Sequence, residues 1–137
     1  MKPPVPIKPG VVFWPSGLTD DKTHPWFVIS VIVEGRVLCV NATDFDHYSE
    51  STCVLDVSDH ECITKKSSIY YSQYERFDAR KLALELAKST LLMHKPDLRS
   101  DVLAKIIEGA KSTKDMTDAI KIKYGLIKPK SDVIRPY

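Results

Sequence analysis

Two histidines and one threonine stand where a sheet could use them for proton transfer. His24 precedes Pro25 and a long apolar run, Thr43 ends the next apolar run, and His60 follows Asp59 in a polar stretch. Histidine titrates near neutral pH. An acid–base pair beside a hydroxyl suits metal-free RNA cleavage, in which the ribose 2′-OH attacks the adjacent phosphate. His24, Thr43 and His60 are therefore the candidate catalytic residues, and the alternatives are a surface histidine at 24 and a capped turn at 59–60.

Basic and aromatic residues follow in the next part of the chain. Lys65 and Lys66 precede two serines, and Tyr70 and Tyr71 follow after Ile69. Single-stranded nucleic acid stacks its bases on aromatic rings and places its phosphates near lysines. This composition predicts RNA contacts from Lys65, Tyr70 and Tyr71. The alternative is an ordinary strand with alternating tyrosines.

The elements that must position these residues are strands in the first half of the chain. Apolar and β-branched runs bounded by polar turns predict strands at 11–14, 25–33, 36–43, 53–57 and 67–72. Glu34 and Gly35 predict a tight turn that joins the second and third strands as a hairpin. Because the register of a hairpin is set by its turn, His24 and Thr43 are expected at the same open end.

From residue 79 onward the apolar spacing becomes helical. The pattern predicts helices over about 79–94, 98–110 and 115–124, with Asp78 as an N-cap and Gly125 after the last helix. We therefore expect an α+β fold, with a small β-barrel of about five strands followed by two or three C-terminal helices. One domain spans 1–137, made of a barrel part (1–78), a helical part (79–125) and a polar tail (126–137).

Composition narrows the class of protein. Residues 1–78 carry 7 Lys/Arg and 11 Asp/Glu, a net −4, whereas residues 79–137 carry 13 and 7, a net +6. The basic half suits a polyanion, or it forms solvated helix faces. Three cysteines, no metal-ligand spacing, no signal peptide and no membrane-spanning run predict a soluble, cytoplasmic protein without a metal or other cofactor. Phosphate-loop, nucleotide-binding, zinc-hydrolase and serine-hydrolase motifs are absent.

Several segments together resemble a known family. Residues 10–14 (GVVFW), 24–30 (HPWFVIS) and 37–43 (VLCVNAT) resemble the opening of the PemK/MazF-like growth-inhibitor toxins, and the similarity continues through 59–71. The resemblance implies an SH3-like barrel, commonly dimeric, that cuts single-stranded RNA at selected sequences and is neutralised by an antitoxin protein.

The resemblance also assigns positions, and some of them depart from the family. Thr43 matches a functional threonine, and His24 stands where many members have a catalytic arginine before proline. Tyr70 and Ser72 fall where some members place Arg and Asp, which adds Ser72 to the expected RNA contacts. A histidine lacks the fixed charge and two-pronged donor geometry of arginine. The alternative is therefore a non-catalytic SH3-like module that binds nucleic acid or a protein partner in a regulatory or defence system.

Overall fold

The computed structural model describes residues 3–15, 24–46 and 51–129. The predicted loop at 16–23 and most of the predicted polar tail lie outside these ranges. Within them the chain forms seven strands: β1 Val12–Pro15, β2 Trp26–Val28, β3 Arg36–Asp44, β4 Val54–Leu55, β5 Ser67–Ile69, β6 Glu75–Asp78 and β7 Leu92–Lys95. It also forms a 3-10 turn, Tyr71–Gln73, and three helices: α1 Ala79–Lys88, α2 Ser100–Ser112 and α3 Asp118–Lys123.

The strands form one antiparallel sheet around the long strand β3. The order is β4-β5-β3-β2-β1-β7, and β6 pairs with the first half of β3 on the side that β5 occupies further along. The predicted α+β class is confirmed. The predicted closed barrel of about five strands is wrong, because among the described strands the order ends at β4 on one side and at β7 on the other.

The second and third strands are joined by the predicted turn. Glu34 and Gly35 both have positive φ, 51° and 82°, and Val33 and Arg36 exchange backbone hydrogen bonds of 2.8 and 3.0 Å across them. Positive φ at both central residues is the type I′ geometry that matches strand twist. The predicted strand 25–33 is shorter, because the Ser30 hydroxyl accepts the Leu38 N–H at 2.9 Å and two extra residues bulge out before Val33.

The first helix also ends earlier than predicted. The Asp78 carboxylate accepts the Lys81 N–H at 2.9 Å and caps the start of α1. Ser89, with φ 57°, leaves the right-handed region and terminates the helix. The chain then turns back as β7, which pairs with β1 through Val12 opposite Lys95 and Phe13 opposite His94. The segment 79–125, predicted to be helical, therefore contributes an edge strand to the sheet.

Each face of the sheet carries its own apolar core. On one face Phe13, Val28 and Cys39 cluster with Leu82 and Leu86 of α1, and we call this the α1 face. On the other face, the α2 face, alternate residues of the same strands cluster with α2 and with the segment that follows it; they include Val12, Phe27, Leu38 and Val40. Because side chains alternate along a strand, every strand residue can be assigned to one face.

The end of α2 is held by a buried lysine. Lys121 of α3 is 5% exposed, and its Nζ donates to the carbonyls of Lys111 and Thr113 at 2.9 and 2.6 Å. These are carbonyls of the last turn and of the residue after it, which lack partners inside the helix. A cation here also opposes the partial negative charge of the helix C-terminus.

We expect Lys121→Met to lower the free energy of unfolding by about 2 kcal/mol, because hydrogen bonds from a charged donor are lost and the carbonyls stay buried. Chemical denaturation measures the change. Lys123→Met is the matched control, since Lys123 lies on the same helix and pairs with Glu34 at the surface, at 3.2 Å. Equal losses in both variants would contradict the capping role.

Candidate functional site

The hairpin register brings His24 and Thr43 to one end of the sheet. Trp26 lies opposite Asn41, and the Ala42 N–H donates to the Pro25 carbonyl at 3.2 Å, so the pairing runs beyond the end of β2. Continuing that register places His24 opposite Thr43. Cys39, Asn41 and Thr43 are every second residue of β3, so Asn41 and Thr43 share the α1 face with Cys39.

The strand on the other side of β3 adds two more residues to the same place. Ser68 lies opposite Thr43, and the Tyr70 N–H donates to the Asn41 carbonyl at 2.9 Å. Residues directly opposite each other in an antiparallel pair share a face. We call the resulting group on the α1 face the strand-end cluster. It has two neighbouring rows, namely His24, Thr43 and Ser68 in one and Trp26, Asn41 and Tyr70 in the other.

The strand-end cluster has a buried floor and a half-buried rim. Asn41, Thr43 and Ser68 are 2, 7 and 0% exposed, whereas His24, Trp26 and Tyr70 are half-buried. The Trp26 ring stacks with Phe13 at a centroid distance of 6.4 Å and meets Phe77 edge-on at 5.4 Å. The rim is therefore aromatic and fixed on one side, with hydroxyl and amide groups below it.

Asn41 is a member of the cluster that the sequence analysis missed. Its Oδ1 is buried and has no hydrogen-bond partner among the described residues. The signal was present in the sequence, since Asn41 is a polar residue two positions before Thr43 within an otherwise apolar strand. Ser68 was missed for a different reason, because its place beside Thr43 becomes evident only when β5 is paired with β3.

His60 does not join the cluster. Its ring lies edge-on to Phe27, a residue of the α2 face, at a centroid distance of 6.5 Å. Its Nδ1 accepts the Cys62 N–H at 3.0 Å, so Nε2 carries the proton and donates to the Pro96 carbonyl at 2.7 Å. Both ring nitrogens are thus bound to backbone groups, and neither is free to exchange a proton with a substrate. The predicted pairing of His60 with His24 is corrected, because the sheet separates them.

The two tyrosines have different positions. Tyr70 lies in the rim of the cluster, but Tyr71 is fully buried on the α2 face and donates its hydroxyl to the Ile106 carbonyl of α2 at 2.7 Å. Burial, together with the Cys53 thiol beside it, holds the pKa of Tyr71 far above its usual range. The predicted RNA contact through Tyr71 is corrected, since no base can stack on an enclosed ring. Ser72 is exposed in the 3-10 turn.

Two lysines lie just past the end of β3. The Lys65 ammonium pairs with the Asp44 carboxylate at 2.6 Å, and hydrogen bonding to that carboxylate raises the pKa of Lys65. The Lys66 ammonium lies 4.2 Å from the centre of the Phe45 ring, while its carbonyl accepts the Phe45 N–H at 3.1 Å. These contacts place the two ammonium groups one or two residues beyond Thr43, and the charge of Lys65 is balanced there by the Asp44 carboxylate.

Over the described ranges, no group of three or more His, Cys, Asp or Glu residues is arranged to hold a metal ion. Of the helices in these ranges, none has the length and apolar character needed to cross a bilayer. No protein-family model matches the chain, and no curated protein matches its sequence.

Proposed function

We propose that the chain is a metal-independent endoribonuclease that cleaves single-stranded RNA at the strand-end cluster. The single observation that carries the proposal is the register that sets His24 opposite Thr43 on the α1 face. A half-buried imidazole beside a buried hydroxyl is a combination suited to proton transfer and phosphate positioning. Tyr70 lies in the next row of the cluster for base contact, and Lys65 lies beyond the strand end for the phosphate.

The proposed reaction needs one bond made and one broken. Neutral His24 takes the proton of the ribose 2′-OH, and the 2′ oxygen attacks the adjacent phosphorus. Thr43 donates a hydrogen bond to a phosphate oxygen as negative charge develops there. The bond from phosphorus to the 5′ oxygen breaks, and that oxygen takes a proton from the imidazolium or from water. The products are a 2′,3′-cyclic phosphate and a 5′-hydroxyl end.

The resemblance to the PemK/MazF-like toxins extends this proposal. We propose that the nuclease is the toxin of a toxin–antitoxin pair, acting in the cytoplasm and neutralised by an antitoxin protein, with a homodimer as its expected state. The sheet would then be an opened relative of the SH3-like barrel. Coexpression with the protein encoded beside it provides a direct test of neutralisation.

One observation favours a second candidate function. Because both ring nitrogens of His60 are bound to backbone groups, the described part of the cluster holds one histidine rather than an acid–base pair. A cluster with aromatic rings, an amide and hydroxyls can bind single-stranded nucleic acid without cutting it. The alternative is therefore a non-catalytic module that binds nucleic acid or a protein partner.

Incubation of the purified full chain with a long single-stranded RNA in EDTA distinguishes the two functions. We expect discrete fragments on a sequencing gel between pH 5 and 8, ending in a cyclic or 3′-phosphate. Intact RNA that is bound tightly would support the non-catalytic module. Intact RNA with no binding at high protein excess would overturn both nucleic-acid functions.

A further inference from the structure

Asn41 places an unpaired hydrogen-bond acceptor in the protein interior. Its side chain is 2% exposed, and its Oδ1 has no hydrogen-bond partner among the described residues. Buried polar groups in native proteins are nearly always paired, and leaving one unpaired is destabilising. Cys39, two residues earlier on the same face, is packed in the apolar core instead. An apolar residue at position 41 would avoid this destabilisation, so the amide suits a partner that arrives from outside.

The backbone beside Asn41 is interrupted. Ala42 pairs with Ile69 of β5, whereas Cys39 pairs with Glu75 of β6. Between these two pairs, two residues of β3 face five residues on the other side, 70–74, and the three extra residues correspond to the 3-10 turn. Continuous strand pairing therefore stops at Asn41, with Trp26 beside it on β2 and Thr43 in the neighbouring row, roughly 7 Å along the strand.

We infer that Asn41 is a substrate-contacting residue of the strand-end cluster, whose Oδ1 accepts a hydrogen bond from an N–H or O–H donor of a bound ribonucleotide. This inference rests on the proposed RNA-binding function. A carbonyl oxygen accepts and does not donate, so it repels phosphate oxygens and selects the parts of a nucleotide that carry donors. Those are the ribose 2′-hydroxyl and the amino or ring N–H groups of a base. Asn41 is thus a specificity-determining residue next to the phosphate site.

The first test compares Asn41→Leu with the full wild-type chain on an RNA that the wild type cuts. We expect kcat/KM to fall roughly 10- to 100-fold, the effect of losing one buried hydrogen bond to the substrate. The thermal midpoint should stay equal to or above that of the wild type, because an unpaired acceptor is removed. Cys39→Ala is the matched control on the same face of β3, and we expect it to lower stability and leave cleavage unchanged.

The second test identifies the donor, in a His24→Ala background that binds without cutting. The probes are an RNA oligonucleotide spanning the cleavage site, the same oligonucleotide with single 2′-deoxy substitutions, and one with bases lacking the exocyclic amino group. The substitution that removes the true donor weakens binding by roughly tenfold with Asn41 present and has little further effect in Asn41→Leu. Coupling to the 2′-deoxy change identifies the ribose, and coupling to the base change identifies the base.

The outcomes separate this inference from the function on which it rests. A wild type that neither binds nor cuts RNA overturns the proposed function and, with it, the role of Asn41. A wild type that cuts, together with an Asn41→Leu variant that cuts equally well, overturns the inference alone. Absence of coupling to every substitution also overturns it. Asn41→Ala provides the same comparison should the leucine variant not fold.

Discussion

Gly109→Ala is expected to lower the free energy of unfolding by about 3 kcal/mol, the upper end of the usual cost of overpacking a core. A Cβ atom at Gly109 would lie 2.3 Å from the Tyr71 hydroxyl oxygen, 3.0 Å from Tyr71 Cζ and 3.1 Å from Cys53 Cβ. Tyr71 cannot withdraw without losing its hydrogen bond to the Ile106 carbonyl, and its ring is fully enclosed. Replacing a glycine inside a helix by alanine normally raises the free energy of unfolding, whereas at Gly109 we expect the replacement to lower it.

Chemical denaturation of a double-mutant cycle tests this explanation. Tyr71→Phe removes the oxygen at 2.3 Å but leaves the ring carbon at 3.0 Å, so the cost of Gly109→Ala should shrink by about 1 kcal/mol or more in that background without vanishing. Glu108→Ala is the matched control, because Glu108 is the exposed neighbour of Gly109 in α2 and pairs with Lys111 at the surface. An identical cost in both backgrounds would contradict the clash.

The contact between Gly109 and Tyr71 also bears on the strand-end cluster. Tyr71 begins the 3-10 turn that interrupts strand pairing beside Asn41, and its hydroxyl fixes that turn to α2. Tyr70, the preceding residue, donates its N–H to the Asn41 carbonyl and lies in the rim. The packing of Tyr71 on the α2 face therefore sets the position of Tyr70 on the α1 face.

The juxtaposition of His24 and Thr43 is the part of the site that could be predicted from the sequence. It depends on one hairpin, and the positive-φ turn at Glu34 and Gly35 brings the start of β2 and the end of β3 to the same end of the sheet. A regular hairpin from this turn would pair Trp26 with Thr43, but the two-residue bulge before Val33 shifts the pairing so that Trp26 lies opposite Asn41. The shared end and the shared face of His24 and Thr43 could therefore be predicted, because a shift of two residues keeps the face, whereas their direct opposition depends on the bulge.

The remaining differences arise from contacts between distant parts of the chain. His60 is fixed by the Pro96 carbonyl, 36 residues away, and no local pattern around His60 indicates that partner. Tyr70 and Tyr71 lie on opposite faces because successive residues alternate along a strand, but the burial of Tyr71 depends on α2, whose Ile106 carbonyl accepts its hydroxyl. Leu92–Lys95 carries apolar residues that suit either a helix or a strand, and pairing with the edge of β1 decides between them.

His24→Ala is expected to reduce the rate of RNA cleavage by about 10²- to 10⁴-fold, the usual contribution of a positioned general base or acid. Adding Thr43→Val should cost little more, because residues that act as a unit in one transition state have non-additive effects. His94→Ala is the matched control, since His94 is an exposed histidine on the edge strand β7. Unchanged cleavage in His24→Ala, with the fold intact, would place the reaction away from the strand-end cluster. If cleavage is lost in His24→Ala but not in His94→Ala, the neighbouring hydroxyl and amide of the cluster should still bind the same nucleotide without cutting it.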